Sequence, residues 1–106
     1  MRTFETIQMY NFVQKNHWQL MCDLSDNDYD IHYFDGRQSA NIALDEFLQT
    51  LEFFDIDKIL EFLANNFEEY SQKQKNFYRE NNCFNEYYRG YVTEIELLAK
   101  IVKQDY

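Results

Sequence analysis

The chain has 106 residues, no proline and only two glycines, Gly36 and Gly90. A dinucleotide fingerprint or a P-loop needs two or three closely spaced glycines, so a phosphate-cradling loop is excluded in its usual form. Collagen-like, Pro-rich and Gly/Ser-linker compositions are excluded with it. Cysteine is scarce: Cys22 and Cys83 stand alone, with no Cys-x-x-Cys or His-x-x-x-His spacing to pair zinc ligands on one turn or helix. Bases are scarce as well, ten against nineteen acids, for a formal net charge of −9. No apolar run approaches the roughly 20 residues that span a bilayer.

Further exclusions follow from the same residues. Met1 to Thr6 lacks a basic region followed by an apolar stretch, which predicts no signal peptide, reduced thiols and a cytosolic, soluble chain. No serine lies in a Gly-x-Ser-x-Gly elbow, and nothing selects a carboxylate pair for hydrolysis. An EF-hand starting at Asp26 puts Asp28 and Asp30 in register but meets Ile31 and Arg37 where Gly and Glu are needed. The expectation is a protein without catalytic residues, cofactor or metal.

What is present is aromatic and acidic. Ten Phe, nine Tyr and 45% hydrophobic residues suffice for a core, and the length suits one domain over 1–106. Asn, Tyr, Phe, Ile and Lys, all with AT-rich codons, make up 42 of the 106 residues. Residues 23–69 hold thirteen acids and only Arg37 and Lys58, a net of −11, while 1–22 and 70–106 are each near neutral. Such a field repels nucleic acid and anionic membranes and attracts basic surfaces.

Periodicity predicts an α+β fold with an all-α bundle as the alternative. Residues 3–15 read as a helix capped by Thr3, with a strand competing over 4–10. Residues 17–24 and 29–34 read as two strands of a hairpin, because Tyr29, Ile31 and Tyr33 alternate with Asp30, His32 and Phe34 across the turn cluster Ser25-Asp26-Asn27-Asp28. Asp35-Gly36 ends the second strand. In that pairing His17 and Cys22 face opposite sides, which disfavours a metal site with His32 and Cys83.

Three helices follow: 39–54 capped by Ser39, 56–70 capped by Asp55, and 84–102. Asn81-Asn82 reads as a stop. Gly90, inside the last helix, allows close approach of another backbone.

The candidate partner-binding residues are the acids of the hairpin tip, Asp26, Asp28 and Asp30, together with Asp35. Asp45 and Glu52, seven apart, share one helix face. Asp57, Glu61 and Glu68 share the next, with Lys58 near enough to pair with Glu61. Tyr87, in Tyr87-Tyr88-Arg89-Gly90-Tyr91, is the aromatic hot-spot candidate.

In size, composition and charge the chain resembles the small acidic anti-defence proteins of phages and plasmids, of the anti-CRISPR and antirestriction kind. That resemblance implies a non-enzymatic inhibitor, a possible DNA mimic, whose carboxylates replace phosphates in the basic nucleic-acid-binding groove of a nuclease. A bacteriocin-immunity or antitoxin-like partner protein is the alternative.

Overall fold

A computed structural model describes residues 3–103. It contains four helices: α1 Phe4–Leu24, α2 Asp28–Thr50, α3 Ile56–Asn81 and α4 Glu86–Lys103. Among the described residues there is no strand, so the expected α+β fold is wrong and the all-α bundle is correct. No helix among them is long and apolar enough to cross a membrane.

The hairpin fails at Asn27. Its side chain accepts hydrogen bonds from the backbone of Tyr29 (2.9 Å) and Asp30 (3.3 Å) and so starts α2. The same polar cluster that suits a turn thus satisfies the free N–H groups of a helix. Residues 17–24 complete α1 and 29–34 open α2. The helix was hidden because the buried face of α2 runs Gly36, Ala40, Asn41, Leu44 and Leu48, small or polar over its first half. Ser39 is no cap; it lies in mid-helix.

Other boundaries follow their sequence signals. Thr3 accepts from the Thr6 backbone at 3.2 Å and starts α1 as a helix, not a strand. Asp55 accepts from Asp57 and Lys58 to start α3. Asn82 ends α3 with φ 57°, the left-handed conformation that Asn tolerates. Asn85 caps α4 through the Tyr88 backbone, while the Gln74 amide holds both its N–H and its C=O.

Helices α2 and α4 form the centre, with α1 packed on α2 and α3 packed on α4. Asn11 meets Asn41 and Cys22 meets Asp35, so α1 runs antiparallel to α2. Tyr91 meets Asn66 and Asn85 meets Gln74, so α3 runs antiparallel to α4. Gly36 faces Tyr87 and Tyr91 while Asn41 faces Glu94, so α2 and α4 run parallel.

The two glycines decide how close that central pair comes. A Cβ on Gly36 would collide with the Tyr87 carbonyl, and one on Gly90 with the Tyr33 carbonyl. Each glycine therefore receives the other helix's backbone, as Gly90 alone suggested. Neither has a positive φ, so their role is steric and not conformational. The apolar core runs through Ile7, Ala40, Leu44, Leu48, Ile59, Leu63, Tyr91, Ile95, Leu98 and Val102.

Candidate functional site

The predicted binding residues do not converge on one patch. Because α2 and α4 are parallel and α3 is antiparallel to α4, the start of α2 and the start of α3 lie at opposite ends of the bundle. Asp26, Asp28 and Asp30 sit at the first end, exposed. Asp28 and Asp30 occupy the first turn of α2, where a helix N-terminus favours negative charge, so they have a structural role there. Asp35 is half-buried between α1 and α2 and accepts from the Cys22 thiol at 3.2 Å. Burial and this carboxylate push the Cys22 thiol up to about 11.

Asp45 is half-buried and takes the Gln49 amide at 3.1 Å. Glu52 does not share its face, since α2 ends at Thr50 and Glu52 lies in the connection. Asp57, Glu61 and Glu68 do share an exposed face of α3, as their spacing requires. The expected Lys58–Glu61 ion pair does not form; the pairs among the described residues are Arg37–Glu94, Lys73–Glu69 and Arg89–Glu86. Tyr87 is half-buried at the helix crossing, beside a cleft that also takes in Tyr29, His32 and Phe84.

The acids therefore form one row, Asp57, Glu61 and Glu68 on α3, with exposed Glu52 in the connection that precedes the helix. With about 1.5 Å of rise per residue, the three α3 carboxylates stand about 6 and 10 Å apart along the axis. Phe53, next to Glu52 in the same connection, is 80% exposed and has no packing role in the core. Of the thirteen acids in 23–69, only Glu69 has a basic partner within ion-pair distance among the described residues. Most of the negative charge of this segment is thus without a direct ion-pair partner among the described residues.

The most elaborate polar cluster escaped the sequence reading. Glu94 of α4 is completely buried. Its Oε1 accepts from Arg37 Nε (2.7 Å) and Trp18 Nε1 (3.2 Å). Its Oε2 accepts from Asn41 Nδ2 (2.8 Å) and Gln14 Nε2 (3.3 Å). The Arg37 guanidinium lies 4.2 Å over the Trp18 ring and donates to the Tyr33 hydroxyl. Asn11 and Asn41 exchange hydrogen bonds beside this group, with Asn41 Oδ1 left unpartnered.

One carboxylate thereby ties α1, α2 and α4 together. With four donors on its two oxygens, Glu94 serves to fix helix register. The signal was a Glu between Tyr91 and Leu98 on an otherwise apolar face.

Two further shifts are local. The Arg89 guanidinium, bonded to Glu86 through two 2.8 Å contacts, holds that carboxyl below its usual range. Burial raises the Tyr91 hydroxyl, which donates to Asn66 at 2.7 Å.

Among the described residues no three His, Cys, Asp or Glu side chains converge as metal ligands. Comparisons with protein-family models, with curated proteins and with solved structures give no match.

Proposed function

We propose that this protein is a binding protein that docks its acidic row on a basic surface of another macromolecule. The observation behind this reading is the row Asp57, Glu61 and Glu68, exposed and without ion-pair partners among the described residues, with exposed Glu52 and the 80% exposed Phe53 in the connection that leads into the same helix. Exposed carboxylates held on a rigid helix steer a cationic partner, and an exposed aromatic among them supplies apolar area to an interface. The fixed spacing suits a groove built to bind phosphates, so the partner's chemistry is that of a nucleic-acid-binding nuclease groove. The protein then acts as an inhibitor by occupying it, in the manner of anti-CRISPR and antirestriction proteins.

Affinity capture from a host lysate, followed by salt and nucleic-acid competition, tests the reading. Raising NaCl from 50 to 200 mM should weaken the captured complex about tenfold or more. Duplex DNA or RNA should displace the partner. The triple charge reversal Asp57→Lys, Glu61→Lys, Glu68→Lys should abolish capture while leaving the helical circular dichroism spectrum intact. A complex indifferent to salt, to nucleic acid and to the reversal would refute it.

A further inference from the structure

Helix α1 has two apolar faces, and the bundle uses one. The inner face buries Ile7 and Asn11 and packs Tyr10 against the core. On the opposite face Met9 is 63% exposed, Phe12 55%, Val13 54%, Leu20 53% and Leu24 73%. Met9, Val13, Asn16 and Leu20 recur at steps of four, three and four, the spacing of a coiled-coil seam, with Phe12 and Leu24 flanking it. An ordinary surface helix turns a charged face to water. Only Glu5, Lys15 and Asp23 are charged in the whole of α1, and the two of them on this face, Glu5 and Asp23, stand at its ends and leave its middle uncharged.

We propose that this stripe is covered by the same stripe of a second copy of the chain, packed as an antiparallel helix pair about a two-fold axis at Asn16. Three observations select this occupant. First, the stripe is self-complementary. With the axis at Asn16, Phe12 lies against Leu20 of the second copy, Val13 comes between its Gln19 and Leu20, Met9 between its Asp23 and Leu24, and Asn16 meets its own equivalent. Each of these apolar side chains gains an apolar neighbour, Asp23 closes the seam at its solvent-facing end, and Asn16 gains an amide that can both donate and accept. A single seam Asn paired with itself fixes register in helix pairs. An isologous contact of this kind closes on itself as a dimer.

Second, charge permits it. Residues 1–22, which carry all of the stripe but Leu24, are near neutral, whereas 23–69 carry −11, and the antiparallel arrangement sets the two acidic segments at opposite ends of the pair. A basic partner, by the same reasoning, is drawn elsewhere. Third, the area fits. Five side chains, each more than half exposed, present on the order of 500 Å² of apolar surface, the greater part of the roughly 800 Å² per subunit that a standard interface buries.

Sedimentation equilibrium and disulfide trapping test the pairing. The wild-type chain at tens of micromolar should sediment at twice its 13.1 kDa mass. The Val13→Glu, Leu20→Glu variant should sediment at the monomer mass with unchanged helicity, because both residues are exposed and neither belongs to the core. In a Cys22→Ser, Cys83→Ser background, Asn16→Cys should form an interchain disulfide on mild oxidation, whereas Gln8→Cys, off the stripe, should not. A monomeric wild-type chain, a dimer that survives the double Glu variant, or no trapping through Asn16→Cys would each overturn the proposal.

Discussion

Gly90→Ala sets two physical effects against each other. Glycine in a helix interior costs about 1 kcal/mol relative to alanine, so propensity alone predicts that the substitution stabilises the protein. The crossing predicts the reverse. A Cβ at this position would overlap the Tyr33 carbonyl oxygen, and would lie 3.0 Å from that carbonyl carbon and 3.1 Å from the Arg37 nitrogen. These are backbone atoms and cannot rotate away, so α2 and α4 must separate by about 1 Å. Overpacking of this kind costs about 1–3 kcal/mol.

The separation also stretches the bonds from Arg37 (2.7 Å) and Asn41 (2.8 Å) to Glu94, which bridge the same two helices. Hydrogen bonds to a charged group contribute about 1.5–3 kcal/mol each, and an added ångström takes them out of range. After the propensity gain, a net loss of at least about 3 kcal/mol is expected. In urea, with a slope of about 1–3 kcal/mol per molar, the midpoint should fall by about 1 M or more. Gly36→Ala should behave alike. The double variant should cost less than the sum, because one separation accommodates both methyl groups. A Gly90→Ala chain as stable as wild type would refute the backbone-to-backbone crossing.

Glu94→Leu should destabilise by about 3–5 kcal/mol in the same assay, since it strands the Arg37 charge beside Trp18 along with three other donors. A loss below about 1 kcal/mol would show that the carboxylate does not organise the three helices. Iodoacetamide should discriminate the thiols. Exposed Cys83 should react readily at pH 8, while Cys22, its thiol raised to about 11, should lag by about a hundredfold and gain speed as the pH climbs toward that value. Because the folded state holds that proton more tightly than the unfolded chain does, the contribution of Cys22 to stability is full below about pH 8.5 and declines between there and about 11. Equal alkylation rates at pH 8 would rule out the burial of Cys22 against Asp35.

The sequence by itself determined the helix boundaries that depend on local chemistry. Thr3, Asp55 and Asn82 act where their side chains can satisfy or end the chain next to them, and such bonds need no distant partner. It also placed Asp57, Glu61 and Glu68 on one face, because helical period alone sets that. Tertiary structure decided the remainder. The start of α2 alternates like a strand, and its small and polar inner residues become a core face only when α4 closes on Gly36 and α1 brings Asn11 to Asn41. Glu52 lost its place beside Asp45 because the chain leaves the helix at Thr50. Glu94 reads as one more acid in an acidic chain until four donors from α1 and α2 surround it. The outer stripe of α1 is visible as a second apolar period, but which period faces inward is settled by packing, a sum over distant contacts that no local pattern contains.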